Sequence, residues 1–251
     1  MKKALLIGCT YKDTDAQLNG TLNDVIRMHN CLTTKYGFLS EDIKMLIEYD
    51  GYTQPTSNNI IDAIVQLLIE SLYYGCDNIY IHFSGHGTQI IDRDGDEKDG
   101  YDECWVPIDF KTNGVISDDL LNRYFKWFPK NCKVTCVVDA CHSSTCLDLM
   151  YKVDIDNQKY EVMNNNCKCN HDNITLISGC RSHECSLDVV KKGSWGGALT
   201  YAILESLNKH QNPSVFKIIE ESREYMLKNN YSQIPQLCSA RKISGDEIFI
   251  I

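Results

Sequence analysis

The chain has 251 residues, 43% of them hydrophobic, and carries 34 acidic against 25 basic side chains for a net charge of -9. That is apolar material for one large α/β domain, and an acidic balance drawn partly from clustered aspartates argues against nucleic acid and for cations or basic substrates. Thirteen cysteines, odd in number and scattered, fit core thiols in a reducing compartment, and the apolar stretch 4–7 is too short for a signal peptide or a membrane span, so a soluble cytoplasmic protein is expected.

In chain order, residues 3–9 read as a first strand, followed by a polar loop to Gly20. Val25, Ile26, Met28 and Leu32 give helical spacing over 23–35, with Gly37 as a stop signal. A second strand covers 43–47. Thr56, Ser57 and Asn58 offer N-caps to a helix ending at Tyr74 and Gly75, with Ile60, Ile61, Ile64, Leu67, Leu68 and Leu72 as its buried stripe. Residues 78–83 form a strand ending in Ser84-Gly85-His86-Gly87, and 88–91 and 103–106 look like hairpin arms around a polar loop, 92–102. Ser117-Asp118-Asp119 starts a helix with Leu120, Leu121, Tyr124 and Phe125 inward, and 134–138 is a buried strand breaking into Asp139-Ala140-Cys141-His142-Ser143. Residues 151–172 lose periodicity and read as a loop. Beyond lie a strand at 174–178, helices at 195–207 and 213–227, and short strands at 236–239 and 247–250. The alternation predicts one domain on a mostly parallel sheet: a larger part, 1–150, the loop 151–172, and a smaller part, 173–251.

Open α/β sheets place their chemistry at the carboxyl ends of strands. If the strands before His86 and Cys141 are parallel neighbours, an imidazole and a thiol emerge from one edge and share a proton, which suffices to activate a cysteine. The amides of Gly87 and Cys141 are candidate oxyanion donors. His142 is a rival base, and the competing reading makes Cys141 a core thiol and His86 an ordinary loop histidine. Asp92, Asp94, Asp96 and Glu103 occupy EF-hand ligand positions, but Glu97 replaces the required glycine and the flanks read as strands, which favours a solvated hairpin tip. Cys167, Cys169 and His171 lack a fourth ligand at zinc spacing.

The blocks IHFSGHGTQ, DGYDECWVPIDF, ISDDLL, VVDACHSS, LISGCRSHECSLD, GGALTYAILESL and IPQLCS, in that order, resemble a metacaspase, an arginine/lysine-directed cysteine protease of the caspase-like clan. The resemblance implies an α/β/α sandwich and a dyad of His86 and Cys141. It further implies a specificity pocket in which Asp24 and Asp139 receive a basic side chain, with Ser84 as a further lining residue and Thr21 where the family often has cysteine; paired carboxylates suit a guanidinium or ammonium. Asp24 has the competing role of a helix N-terminal charge. Calcium is implied at Asp102, Asp118, Asp119 and Asp148, acids that repel one another without a hard cation. Self-cleavage is implied in the loop between the two parts, where Lys152, Lys159 and Lys168 are the basic candidates. A monomer acting on protein or peptide substrates is expected, with no adaptor segment before the first strand. Ser144 where the family usually has glycine, and Arg181 to Ser186 where it has an acidic, Gln-containing segment, depart from the pattern. The rival readings are a non-hydrolytic scaffold binding basic segments and a dyad enzyme of other specificity.

Overall fold

The computed structural model describes residues 1–95, 97, 100–141, 146–157, 159–163, 173–179, 188–191 and 194–250. In chain order the elements are β1 (Lys2–Gly8), α1 (Thr21–Lys35), β2 (Ile43–Ile47), α2 (Ser57–Tyr74), β3 (Asn78–Ser84), β4 (Gly87–Ile91), β5 (Tyr101–Trp105), α3 (Phe110–Asn113), β6 (Ile116–Ser117), α4 (Asp118–Phe125), β7 (Lys133–Asp139), β8 (Tyr151–Asp154), β9 (Lys159–Val162), β10 (Ile174–Ser178), β11 (Asp188–Lys191), β12 (Ser194–Gly197), α5 (Ala198–Lys209), α6 (Val215–Lys228) and β13 (Gln236–Ser239). Among the described residues eight strands form one sheet in the order β2-β1-β3-β7-β10-β13-β8-β9. The first five are parallel, and β13, β8 and β9 run antiparallel to their neighbours.

Side chains alternate across the sheet because successive residues of a strand point to opposite faces. In β1, Leu5 and Ile7 join one core with Ile60 and Ile64 of α2 and Leu121 and Phe125 of α4. Ala4 and Leu6 join the other with Val25 and Met28 of α1, Ala202 and Ile203 of α5 and Ile218 of α6. The result is the expected α/β/α sandwich. The same parity assigns β3 and β7: Ile81 and Phe83 with Cys136 and Val138 face α2 and α4, while Tyr80 and Val137 face α1 and α5. Ser84 and Asp139, one step on, therefore share the α1/α5 side.

Local signals behave as their chemistry requires. The Thr56 hydroxyl caps α2 by accepting from the Asn59 amide, Gly75 closes that helix at a φ of 69°, and Ser117 caps α4 by accepting from Leu120. Four expectations are corrected. Leu72 is exposed, and Ala63 and Ser71 complete the buried face of α2 in its place. Trp195 lies in β12, paired with β11, so the helix predicted from 195 begins at Ala198. Residues 247–250 contribute one bridge, Ser214 to Ile248, rather than a strand. The predicted loop 151–172 opens with the hairpin β8–β9, whose short polar strands gain their order from pairing with β13 rather than from their own alternation.

Candidate active site

The site grows from the carboxyl ends of β3 and β7. Their parallel register pairs Ser84 with Asp139, so His86 and Cys141 each lie two residues beyond a matched pair on adjacent strands. The Gly85 amide donates to the Asp139 carbonyl at 3.3 Å, which keeps the two chains together past the strand ends. A Cβ built on Gly87 would fall 1.9 Å from the Cys141 carbonyl oxygen. Only glycine permits that approach.

His86 is oriented by its surroundings. Its Nε2 lies 2.7 Å from the Ala16 carbonyl, which only accepts, so Nε2 carries the proton and Nδ1 is the basic nitrogen. Cys141 is a reduced, half-buried thiol, whereas the other eight reduced cysteines among the described residues are buried. Burial pushes the Cys31 thiol up to about 11 and those of Cys104 and Cys238 up to about 12, which leaves them as inert core groups.

The acidic pair converges from separate elements. Asp24 sits in the first turn of α1, fully buried, and its Oδ2 accepts from the Ser84 hydroxyl at 2.8 Å and the Gly197 amide at 2.9 Å. Among the described residues its Oδ1 has no hydrogen-bond partner, and Arg27 Nη1 forms an ion pair with it at 3.8 Å. Asp139 Oδ2 accepts from both the amide and the hydroxyl of Thr200, each at 2.8 Å, in the first turn of α5. Burial first, and the nearby Asp139 charge second, hold the Asp24 carboxyl well above the ordinary carboxylate range. Asp24 and Asp139 are thus two carboxylates buried against one glycine, Gly197. Thr21 is buried one turn before Asp24, its hydroxyl 3.0 Å from that of Thr10.

Sequence reasoning missed Thr200, Gly197 and Arg27. The Gly196-Gly197 pair before a helix was the available signal: a Cβ at Gly197 would lie 2.1 Å from Asp139 Oδ2 and 3.0 Å from Asp24 Oδ2. Arg27 stacks on Tyr201 at 4.5 Å and donates to the Trp195 carbonyl and the Ser194 hydroxyl, tying α1 to β12 beside the acids.

A second acidic cluster surrounds the β4–β5 hairpin. Carboxylate oxygens of Glu97, Glu103 and Asp118 lie within 4.8 Å of one another. Glu97 and Glu103 stood outside the predicted set, whose Asp118 they join. Burial, with the charges of Glu103 and Glu97, drives the Asp118 carboxyl up to about 9. Asp102 and Asp119 are likewise raised, mainly by burial and then by acids that include Asp92 and Asp94. Asp148 is buried at a φ of 47°, next to Leu147, whose carbonyl accepts from Asn122 of α4. An all-carboxylate set that resists ionisation by itself fits a hard divalent cation. The EF-hand alternative fails on its flanks, which are antiparallel strands, and Asp92 turns inward to accept from the amides of Asp94, Gly95 and Glu97.

Of the basic cleavage candidates, Lys152 lies in β8 between β13 and β9, and Lys159 opens β9 opposite Asp154. Both belong to paired strands, and a protease needs an extended, unpaired segment. Lys168, His142, Ser144, Asp96, Cys167, Cys169, His171 and Arg181 to Ser186 lie outside the described residues. Among the described residues no helix is long and apolar enough to cross a membrane.

Comparison with known proteins gives the family and the fold. A family model for the metacaspase peptidase C14 domain matches residues 2–150. Metacaspase-1 of Yarrowia lipolytica is 32% identical over all of this chain, which spans 64% of that relative, and Metacaspase-1 of Plasmodium falciparum is 37% identical over 94% of this chain and 38% of its own length. The chain thus spans about two-thirds or less of such relatives. A crystal structure of a Geobacter sulfurreducens protein shares the fold with a TM-score of 0.68 at 23% identity, covering 99% of this chain and 96% of that one. With a parallel sheet that brings a histidine and a cysteine to one edge, and a family model that covers more than half its length, this chain belongs to the metacaspase family.

Proposed function

We propose that this chain is a cysteine endopeptidase that cuts peptide bonds after arginine or lysine and is stimulated by calcium. His86 Nδ1 accepts the Cys141 proton, and the thiolate attacks the scissile carbonyl. The amides of Gly87 and Cys141 receive the developing oxyanion. His86 returns the proton to the leaving amine, and water then hydrolyses the thioester. Asp24 and Asp139 hold the basic side chain of the residue before the cut through charge-assisted hydrogen bonds, with Ser84 fixing the Asp24 carboxylate.

The observation that supports this reading most is the convergence of two buried carboxylates beside the strand end that carries Cys141. A basic side chain would add positive charge beside the Asp24 Oδ1, which Arg27 approaches only to 3.8 Å. Glu97, Glu103 and Asp118, with Asp102 and Asp119 adjacent to two of them in the chain and Asp148 from the segment after β7, are the residues that would hold calcium, whose charge would let these acids ionise together.

Cleavage of short reporter peptides ending in Arg, Lys or Asp, with calcium or chelator and with Cys141→Ala as control, tests the proposal. Cutting after Arg and Lys that requires Cys141 and rises with calcium is the expected result. Hydrolysis that survives Cys141→Ala, or that proceeds equally after Asp, would refute it. Binding of basic peptides without turnover would point to a scaffold instead.

A further inference from the structure

The loop between β1 and α1 touches His86 at two points and is itself anchored from β2. Glu48, directly after β2, accepts three consecutive amides of this loop: Thr10 at 2.5 Å and Tyr11 at 2.6 Å on Oε2, and Lys12 at 3.0 Å on Oε1. Successive amides turned toward one anion form a nest, a conformation that needs left-handed backbone within the run. Tyr11 supplies it with a φ of 53°. A bulky aromatic residue at positive φ is strained, and strain of this kind persists only where the surroundings over-determine it.

The strained residue is the one that meets the histidine. The Tyr11 ring is buried with its centroid 4.8 Å from that of His86, and its hydroxyl accepts the His86 amide at 2.8 Å while donating to the Val106 carbonyl at 2.7 Å. Gly85 must be glycine for the same reason, since a Cβ there would lie 2.9 Å from the Tyr11 hydroxyl. The Ala16 carbonyl that faces His86 Nε2 belongs to the same loop, whose two ends are joined by the Leu18 amide donating to Thr10 at 2.9 Å. One loop therefore sets the imidazole's backbone, its ring face and its tautomer.

We infer that Glu48 and Tyr11 are positioning residues for His86: the Glu48 carboxylate locks the loop, and the locked Tyr11 holds the imidazole where it serves Cys141. The inference rests on the dyad proposed above and adds two residues that act through His86. A packing role alone predicts lost stability with unchanged chemistry. A positioning role predicts less thiolate at Cys141 and a lower kcat at constant KM, because misplacing a catalytic group by about 1 Å costs on the order of a hundredfold.

The test is the pH dependence of Cys141 alkylation by iodoacetamide, followed by peptide mass on the full chain, for the unaltered protein, His86→Ala, Tyr11→Phe and Glu48→Gln, alongside kcat and KM on an Arg reporter. The unaltered protein should alkylate with a midpoint below the free-thiol value of about 8.5, and His86→Ala should restore that value. Tyr11→Phe and Glu48→Gln should fall between, with kcat reduced about tenfold or more and KM within about twofold. Folded variants with the unaltered alkylation curve and kcat overturn the inference. Should Tyr11→Phe fail to fold, Glu48→Gln decides, because Glu48 is only half-buried. A curve for the unaltered protein that already matches a free thiol and ignores His86→Ala defeats the dyad itself, and with it this inference.

Discussion

Asp24 and Asp139 enter the protein on different elements and end against the same glycine. A Cβ at Gly197 would sit 2.1 Å from one carboxylate and 3.0 Å from the other. The first turn of α5 stabilises both: the Gly197 amide donates to Asp24 and Thr200 to Asp139, so the positive end of a helix faces two buried acids. That arrangement offsets part of their repulsion, and a basic side chain would offset more.

Asp24→Asn should separate stability from function. The folded-state pKa of Asp24 lies above its unfolded value, so its favourable contribution is complete below about pH 4 and is lost as pH rises toward the raised folded value. Removing the charge should stabilise the protein by about 1–3 kcal/mol at pH 8, raising Tm by several degrees, with the gain vanishing near pH 4. Activity on Arg reporters should fall by on the order of a hundredfold or more as the charge-assisted contact is lost. Thermal melts at both pH values and kcat/KM check this.

Gly87→Ala should damage the site through the backbone. The added methyl would collide with the Cys141 carbonyl, so the two strand ends must part. Activity should fall by roughly a hundredfold, while a Tm lowered by only a few degrees shows the sheet intact.

Calcium should act as a pH-dependent stabiliser. Asp118, raised to about 9, favours the calcium-free fold below about pH 4 and progressively withdraws that support as pH climbs toward 9. Tm in chelator should therefore drop between pH 5 and 9, and the Tm rise on adding calcium should grow over the same interval. Asp118→Asn should flatten both curves; calorimetry at stepped pH measures them.

Leu72→Ala and Ile64→Ala, both in α2, should differ sharply. Leu72 is 57% exposed and its truncation should stay within about 0.5 kcal/mol, whereas Ile64 is 0% exposed and should cost about 2–5 kcal/mol. Urea denaturation of the two variants provides the comparison.

The difference between these two residues marks where sequence legibility ends. Both fit a helical period, but the buried stripe of α2 runs through Ile60, Ala63, Ile64, Leu67, Leu68 and Ser71, so Leu72, one residue round from Ser71, falls just off the covered face. The neighbouring elements decide where the edge of that stripe lies. The hairpin β8–β9 shows the converse case: strands of mixed polarity that carry little pattern of their own become ordered because β13 offers an edge.

The sequence by itself determined the caps at Thr56 and Ser117, the α/β alternation and the position of His86 and Cys141 just past two strands, because these depend on local periodicity and turn chemistry, while Asp24 and Asp139 were singled out by the resemblance to metacaspases. Tertiary structure alone decided that Gly197 and Thr200 bind the acids, that Glu97 and Glu103 join Asp118, and that Glu48 and Tyr11 reach His86. The contacts to Asp24, Asp139 and His86 join residues far apart in the chain and depend on the order and register of parallel strands, whereas Glu97, Glu103 and Asp118 meet around the antiparallel β4–β5–β6 sheet; no local pattern encodes either arrangement.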